Sequence, residues 1–194
     1  MKAYNLVLAS GSKYRHSLLT QLKLEFTSIA PDVDETPLAY ESPEQTSRRL
    51  SRLKAKALQC QFPNHLIIGS DQVAVIDDCL LGKPGNRVNT INQLIRASGR
   101  FITFFTSVSV LNSGTSQIIT ETDCTQVFFK TLKIEQIENY VDIEQPYDCA
   151  GGFKSEGLGI ALFEKIQGDD PNALIGLPLI KLLSILEQYS VRVI

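Results

Sequence analysis

The chain has 194 residues, of which 43% are hydrophobic and 21% charged, and its net charge is −2 at pH 7. This length is typical of one domain, or of one domain with two lobes, and it can bury a core without a metal or disulfide. The slightly acidic balance argues against a protein that coats nucleic acid, since such proteins usually carry an excess of Lys and Arg. A small phosphorylated ligand stays compatible with it, because a few local cations can bind one.

The sequence also bears on location. No stretch approaches about 18 consecutive apolar residues, so we expect no membrane span. The N-terminus leads directly into a short apolar segment, without the basic region, long apolar run and cleavage site of a signal peptide. The four cysteines are scattered and include no CxxC pair, which is typical of reduced thiols. We therefore expect a cytoplasmic protein that binds neither membrane nor nucleic acid.

The first predicted elements are a strand, a small-residue loop and a helix. Residues 6–9 are a short apolar run typical of a strand buried on both faces, and Ser10-Gly11-Ser12 ends it. Leucines at 18, 19 and 22 have helical spacing. A second helix is predicted to begin near Ser42, because Ser42-Pro43-Glu44-Gln45 offers an N-cap, a proline at the first helical position and a capping-box glutamine.

Helices and strands continue to mix along the rest of the chain. The later predicted strands are residues 66–70, continued as extended chain over 73–76, and a hairpin of residues 101–111 and 116–129 that turns at Asn112-Ser113-Gly114. The later predicted helices are residues 89–97, 134–141 and 177–189. This pattern predicts an α/β fold with a mixed twisted sheet in two lobes around a groove. We treat residues 1–194 as a single domain.

The loop after the first strand has side chains that suit a phosphate group. Ser10, Ser12 and Arg15 can offer hydroxyl and guanidinium donors, and small residues let backbone N–H groups approach an anion at the positive end of a helix. The segment is not a Walker A loop, since GxxxxGK[ST] is absent. An ordinary helix cap followed by a surface arginine is the alternative.

Acidic residues occur at two further places. Asp71 directly follows the strand over 66–70, and the carboxyl end of a buried strand is where α/β sheets place ligands. A carboxylate there can bind Mg²⁺ or Mn²⁺, or take a proton from water. Asp32, Asp34 and Glu35 form an acidic loop whose oxygens suit a hard divalent cation. A turn aspartate and a solvated acidic loop are the simpler explanations.

Three later segments combine glycine with charged residues. Lys83 lies between Gly82 and Pro84, which suits a phosphate clamp, although an exposed turn lysine is commoner. Residues 151–157 place small residues around Lys154 and Glu156. Residues 168–172, before Gly176-Leu177-Pro178, can equally be an ordinary loop followed by the start of a helix.

The ordered set of these motifs resembles the Maf family of nucleotide pyrophosphatases over nearly the whole chain. The motifs that carry the resemblance are Leu8-Ala9-Ser10-x-Ser12-x-x-Arg15, Asp32-Val33-Asp34-Glu35, Lys54-Ala55, Gly69-Ser70-Asp71-Gln72, Gly82-Lys83-Pro84, Ala150-Gly151, Lys154-Ser155-Glu156-Gly157 and Asp170-Pro171-Asn172 with Gly176-Leu177-Pro178. Within the family the chain is similar to the branch that acts on 7-methyl-GTP, in which Gln follows the aspartate and the late motif is Lys-Ser-Glu-Gly. Two positions depart from close relatives, Ser107 for a common Gly and Gly152 for a common Ser.

The resemblance implies a Maf/ITPase-like fold with a nucleotide-binding cleft, and a hydrolase that splits a nucleoside triphosphate into a monophosphate and pyrophosphate. Asp71 is implied as the proton acceptor. Phosphate binding is implied for Ser10, Arg15, Lys54 and Lys83, and Ser12 joins them through its hydroxyl. A divalent metal, Mg²⁺ or Mn²⁺, is expected on Glu35 and Asp71. Substrate choice is implied for Tyr14, Gln72 and Glu156.

The choice of base has a physical argument beside the resemblance. Glu156 can accept both N–H groups of the guanine Watson–Crick edge, and methylation at N7 makes the ring cationic. Tyr14 can stack on that ring, a cation–π contact of about 0.5 to 2 kcal/mol. Alternatively, Glu156 merely pairs with Lys154 or Lys165.

Several alternatives stay open for the function. The substrate is expected to be 7-methyl-GTP, and a house-cleaning pyrophosphatase for dTTP, UTP or other non-standard nucleotides is the close alternative. A nucleotide-binding regulator of cell division is the alternative from another class. Whether Asp71 acts as general base or metal ligand is open, and so is a homodimer.

Overall fold

The computed structural model describes residues 4–194. The strands in this range are β1 Asn5–Ala9, β2 Phe26–Ile29, β3 His65–Ile76, β4 Cys79–Leu81, β5 Phe101–Asn112, β6 Gln117–Phe129 and β7 Phe163–Gln167. The α-helices are α1 Lys13–Gln21, α2 Pro43–Ala57, α3 Arg87–Ala97, α4 Ile134–Glu144 and α5 Leu179–Gln188, and short 3₁₀ helices cover Ala150–Gly152 and Leu158–Leu162. None of the helices between residues 4 and 194 is long and apolar enough to cross a membrane.

The strands form a mixed sheet in the order β2-β1-β3-β5-β6-β7, and β4 pairs with β3. β1 runs parallel to both β2 and β3, whereas β4 is antiparallel to β3 and β7 is antiparallel to β6. The prediction of an α/β fold with a mixed sheet is therefore confirmed.

The chain divides into two compact units. The first unit consists of Met1–Gln72, Phe105–Asp123 and Asp170–Ile194, and the second unit of Val73–Phe104 and Cys124–Asp169. The single domain over residues 1–194 and the nucleotide-binding cleft stay predictions.

The first unit has apolar side chains on both faces of its strands. Successive residues of a strand point to opposite faces, so Leu6 and Leu8 pack with α1 and α5, whereas Val7 and Ala9 pack with α2. Helices cover both faces of β1, which explains why it is apolar from Leu6 to Ala9, as its sequence predicts.

Helix α2 lies very close to β3. A Cβ atom on Gly69 would clash with the backbone carbonyl of Ser51, so only a glycine fits at this point of the strand. Two buried pairs of hydroxyl groups lie beside this contact, Ser47 with Ser107 at 2.7 Å and Ser51 with Ser109 at 2.7 Å. Ser107, at a position where the family resemblance implies a glycine, is thus part of a buried hydrogen-bond network.

The second unit is built around aromatic rings. Phe153 makes edge-to-face contacts with Phe104, Phe129 and Phe163, with ring centroids 4.9 to 5.5 Å apart. Edge-to-face pairs at this spacing add to the free energy gained from burial. They hold the segment that precedes Lys154 in place.

Most predicted elements are present, with shifted ends. Helix α2 follows its predicted capping box, in which Gln45 N donates to Ser42 Oγ and Ser42 N donates to Gln45 Oε1. Helix α5 begins at Leu179, two residues later than predicted. The reason is Pro178, since a residue before proline is disfavoured in helical conformation.

Candidate active site

Two carboxylates of the first unit contact one ammonium group. Lys54 Nζ donates a hydrogen bond of 2.6 Å to Asp71 Oδ1 and lies 2.8 Å from Glu35 Oε1. Lys54 and Asp71 are buried, whereas the Glu35 side chain is 58% exposed. Asp71 is two residues beyond Gly69 and therefore faces α2, which carries Lys54 at the point of its closest approach.

Burial changes the chemistry of the Asp71 carboxylate. Loss of solvent raises the pKa of Asp71, the positive charges of Lys54 and Arg15 lower it, Glu35 raises it, and the net direction is upward. A carboxylate with a raised pKa is a better proton acceptor near neutral pH than a solvated one. Within the described part of the chain, Lys54 is the group that donates to this carboxylate, and it uses Oδ1, so Oδ2 keeps its lone pairs.

Glu35 lies on a loop that is bound to α2. Arg49 on that helix donates from Nε and Nη2 to the two carboxylate oxygens of Glu41, at 2.7 and 3.0 Å, and from Nη2 to the Thr36 carbonyl at 3.0 Å. The same helix thus holds both Lys54 and the loop that carries its partner. Of the acidic residues in this loop, Asp34 instead accepts from the backbone of Thr36.

The loop between β1 and α1 is a helix cap. Ser12 Oγ accepts from Arg15 N at 3.4 Å, and Ser10 Oγ accepts from Ser12 N at 3.1 Å. Both hydroxyl oxygens are acceptors in these bonds, so their hydrogens can still be donated to an anion. The cap and the phosphate-binding loop are therefore compatible interpretations of the same residues.

Arg15 is oriented by a backbone carbonyl. Its Nε donates to Gly176 O at 2.8 Å, and in residues 4–194 this is the hydrogen bond that its guanidinium forms. Loss of solvent lowers the pKa of Arg15, and the charges of Asp71 and Glu35 act in the opposite direction. The two terminal nitrogens present a fork that suits phosphate oxygens.

Two residues predicted to set substrate choice lie in the first unit. Gln72 Nε2 is 3.0 Å from each of Thr106 Oγ1, Ala173 O and Leu174 O. These three acceptors fix the direction of the amide, which leaves Oε1 as the atom that a ligand can contact. The Tyr14 ring has the Lys13 ammonium 5.0 Å from its centroid, so a cationic base that uses the same face has to displace Lys13.

Lys83 and Glu156 belong to the second unit, and both are exposed. The Glu156 carboxylate accepts from Ser155 Oγ at 3.4 Å. Lys154 pairs with Glu144 at 3.4 Å, and Lys165 Nζ lies 5.4 Å from the centroid of the Phe128 ring. Pairing of Glu156 with either lysine, the simpler alternative, is not what the structure has.

The family pattern described as Maf-like protein matches residues 5–189. This chain belongs to the Maf family. The resemblance drawn from the sequence motifs is therefore confirmed.

Curated relatives of this Maf protein span its full length. It is 50% identical to a protein of Vibrio cholerae over 194 residues, which is 100% of both chains. It is 51% identical to a protein of Aliivibrio fischeri, over 97% of this chain and 98% of the relative. It is 53% identical to a protein of Alcanivorax borkumensis, over 96% of this chain and 95% of the relative. All three relatives are named 7-methyl-GTP pyrophosphatase.

Solved structures of similar fold come from more distant proteins. The Staphylococcus aureus Ham1 protein matches with a TM-score of 0.50 at 14% identity, over 95% of this chain and 99% of that one. A HAM1 protein from Coxiella burnetii also has a TM-score of 0.50 at 14% identity, over 96% and 100%. At this identity the likeness supports the fold alone.

The donor set of the Maf protein fits a metal that is shared with a substrate. In residues 4–194 there is no group of three or more His, Cys, Asp and Glu side chains that could hold a metal ion. Glu35 and Asp71 both contact Lys54, so their carboxylates are near enough to share one cation. Mg²⁺ is commonly bound by one or two carboxylates together with substrate phosphates, and these two side chains would supply that part of the site.

Some residues of the site were not predicted from the sequence. Gly176 O and Ser70 Oγ contribute to the orientation of Arg15, and Arg49 holds the Glu35 loop. A signal existed for Gly176, because it lies two residues before Pro178 in the segment that leads into α5. Nothing distinguished Arg49 from a solvated helical arginine.

Proposed function

We propose that this Maf protein hydrolyses 7-methyl-GTP to 7-methyl-GMP and pyrophosphate. The observation that carries the proposal is the buried Asp71 carboxylate, with its raised pKa, one oxygen bound to Lys54 and the other with free lone pairs. The names of relatives at about 50% identity over the full length support the choice of substrate.

The charges of the site support a divalent cation as cofactor. Lys54 and Arg15 are cations and Asp71 and Glu35 are anions, so these four side chains have no net charge. A triphosphate carries roughly four negative charges, which must be offset for attack at phosphorus. Mg²⁺ or Mn²⁺ on Glu35, with Asp71 as the second ligand in the alternative in which it is not the base, would supply positive charge that polarises the phosphoryl group.

The proposed reaction is a single displacement. Asp71 Oδ2 takes a proton from a water molecule whose oxygen bonds to the α-phosphorus. The bond from that phosphorus to the α,β-bridging oxygen breaks, and the electron pair leaves with pyrophosphate. Arg15, Lys83 and the hydroxyls of Ser10 and Ser12 hold the phosphate oxygens. Lys54 keeps the carboxylate oriented through Oδ1.

Recognition of the base is proposed for three residues. Glu156 accepts the two N–H groups of the guanine edge, since its carboxylate is exposed and pairs with neither nearby lysine. Tyr14 stacks on the methylated ring, whose positive charge replaces that of Lys13. Gln72 contributes Oε1 as an acceptor.

The test is an assay of the purified protein with Mg²⁺ or Mn²⁺ and equal concentrations of 7-methyl-GTP, GTP, dTTP and UTP. We expect 7-methyl-GTP to have the highest kcat/KM, with one pyrophosphate formed per 7-methyl-GMP. Asp71→Asn in the same panel controls for a contaminating phosphatase. Faster hydrolysis of dTTP or UTP than of 7-methyl-GTP would favour the alternative of a house-cleaning pyrophosphatase. Tight binding without pyrophosphate release would favour the regulator of cell division. Light scattering of the same preparation tests whether the protein forms a homodimer.

A further inference from the structure

The segment that leads into α5 contains a carboxylate that the reaction does not use. Asp170 is 1% exposed, and both of its oxygens accept from backbone amides of the first unit. Oδ1 accepts from Asn172 N at 2.9 Å, and Oδ2 accepts from Ile180 N at 2.6 Å. Among residues 4–194 no ion pair of Asp170 is found, and burial of a carboxylate is costly unless hydrogen-bond donors such as these two amides satisfy it.

Asp170 acts as the N-terminal anion of α5. The N-cap residue of this helix is Pro178, whose apolar ring cannot accept a hydrogen bond. The amide of Ile180 is one of the donors that the helix itself leaves unsatisfied. The carboxylate comes from ten residues earlier in the chain and also meets the positive end of the helix dipole. The bond closes the intervening segment into a loop fixed on α5.

The loop itself is tightly turned. Ala173 N donates to Asp170 O at 3.0 Å, and Gly176 N donates to Ala173 O at 3.0 Å and to Asn172 O at 3.2 Å. Gly176 then has a φ of +125°, a conformation that side chains rarely adopt. This conformation sets the direction of the Gly176 carbonyl.

The Gly176 carbonyl is the acceptor that orients Arg15. It receives the Arg15 Nε bond at 2.8 Å and a second bond from the buried Ser70 hydroxyl at 2.9 Å. Ser70 precedes Asp71 in β3. The Gly176 carbonyl is therefore also hydrogen-bonded to the strand that carries the proton acceptor. The chain of contacts therefore runs from Asp170 through the turn to Gly176 and then to the guanidinium.

We propose that Asp170 is a positioning residue that orients the Arg15 fork toward the triphosphate. The proposal rests on the proposed function for its meaning in catalysis, but the orientation is a property of the protein alone. Loss of one Asp170 bond loosens the turn, the Gly176 carbonyl moves, and Arg15 Nε loses its acceptor. Because Arg15 contacts phosphate in the bound substrate as well as in the transition state, the loss raises KM more than it lowers kcat.

The first test is independent of turnover. The Arg15 Nε–H signal in a nitrogen–proton correlation spectrum is assigned by its absence in Arg15→Lys, and its exchange with solvent is measured in the substrate-free protein. We expect a protected signal in the wild type and at least tenfold faster exchange in Asp170→Asn, which keeps the size of the side chain and loses one acceptor. Gly176→Ala is expected to give the same result by forcing the turn to change while Asp170 is kept.

The second test links the two residues by function. Asp170→Asn is expected to raise KM for 7-methyl-GTP roughly tenfold, the scale of one hydrogen bond to a charged group, with kcat changed less. In an Arg15→Ala background the same substitution is expected to change KM by less than twofold, because its route to the substrate is already gone. Affinity for inorganic triphosphate, measured by calorimetry, is expected to follow the same pattern.

Ile185→Val is the matched control, since it weakens the packing of α5 from its buried face and its side chain forms none of the hydrogen bonds of Asp170 or Gly176. It is expected to lower the melting temperature and to leave Arg15 Nε–H protection and KM at wild-type values. Full protection of Arg15 in both Asp170→Asn and Gly176→Ala would overturn the proposal, as would a KM effect of Asp170→Asn that persists in Arg15→Ala. If the wild type hydrolyses no nucleotide, the proposed function fails, and the exchange measurement still decides the role of Asp170.

Discussion

The Asp71 carboxylate accepts a hydrogen bond of 2.6 Å from the ammonium of Lys54, and both side chains are buried. They come from different elements, β3 and α2, which approach closely because Gly69 has no side chain. A buried ion pair of this kind is weak evidence for stability, since desolvation offsets much of the attraction. The presence of this ion pair beside Arg15 and Glu35 is better explained by a role in the reaction.

Asp71→Asn tests that chemistry. The amide keeps the shape of the carboxylate but neither carries its charge nor accepts the proton of water, so we expect turnover of 7-methyl-GTP to fall roughly 10²-fold or more. Pyrophosphate release at saturating substrate measures it. Glu187→Gln, an equivalent change on the exposed side of α5, is the control and should keep wild-type turnover. Near-normal turnover by Asp71→Asn would remove this residue from the mechanism.

Lys54→Met tests how the Lys54–Asp71 ion pair affects the stability of the protein. Removal of the ammonium leaves the Asp71 carboxylate buried without its partner, which we expect to lower the free energy of unfolding at pH 7 by roughly 3 kcal/mol. Glu35 is largely exposed and can be rehydrated. The double variant Lys54→Met with Asp71→Asn is therefore expected to recover much of the loss in urea denaturation. If the double variant is no more stable than Lys54→Met, the buried charge of Asp71 is not the cause.

The sequence predicted the central strands and the helices well because both have a strong local pattern. β1 has an apolar run over residues 6–9 and β3 has one over residues 66–68, and α2 begins at a complete capping box. β2, β4 and β7 were not predicted, since they are short and largely exposed, and their pairing with neighbouring strands defines them. The start of α5 was placed two residues early because the pattern of leucines continues through Leu177.

The charged residues of the site could be proposed from sequence because each belongs to a recognisable motif. The hydrogen-bond and ion-pair partners of these residues could not be predicted. Lys54 was expected to bind phosphate, and its ammonium lies between two carboxylates, an arrangement that depends on the approach of α2 to β3. The Gly176 carbonyl that orients Arg15 is a backbone atom 161 residues away in sequence. Long-range contacts of this kind leave no local signal.

Glu41→Gln tests the attachment of the Glu35 loop through its pH dependence. The hydrogen bond from Arg49 lowers the pKa of Glu41 from its ordinary value of 4.5. A carboxylate whose pKa is lower in the folded state contributes stability above that ordinary value and loses it as the pH falls through the lowered one. We therefore expect wild type to melt at a higher temperature than Glu41→Gln at pH 7, and the difference to shrink as the pH falls below 4.5 and Glu41 takes up a proton.

The control for this comparison is again Glu187→Gln, which removes an exposed carboxylate away from Arg49. Its difference from wild type should change less over the same pH range. An equal change in both variants would assign the effect to net charge and not to the Arg49 pair.

Glu156→Ala tests the choice of base. Loss of two charge-assisted acceptors for the guanine edge is expected to lower kcat/KM for 7-methyl-GTP roughly tenfold or more. The effect on GTP should be smaller, because its unmethylated ring lacks the positive charge that the carboxylate attracts. Glu164→Ala, another exposed glutamate of the second unit, is the matched control. An unchanged ratio of kcat/KM for the two nucleotides would exclude Glu156 from substrate choice.

Gly69→Ala tests the approach of α2 to β3, on which the position of Lys54 depends. The added methyl group would clash with the Ser51 carbonyl and lie 2.8 Å from Ala55 N, so α2 has to move. Overpacking of this kind costs roughly 1 to 3 kcal/mol, which urea denaturation measures. Gly82→Ala is the matched control, because its methyl group would meet no atom within 4 Å, and its stability should stay within about 0.5 kcal/mol of wild type.

The same pair of variants shows whether the helix position matters beyond folding. Both are assayed at a temperature where each is fully folded, so that lost activity reports geometry and not the amount of native protein. A shift of α2 moves Lys54 away from Asp71, and a displacement of about 1 Å in a catalytic group can cost 10²-fold in rate. We therefore expect folded Gly69→Ala to lose turnover relative to wild type, whereas Gly82→Ala, which adjoins Lys83, is the control for stability alone. Wild-type turnover by folded Gly69→Ala would mean that the Lys54–Asp71 distance is not critical, and that Asp71 alone sets the rate.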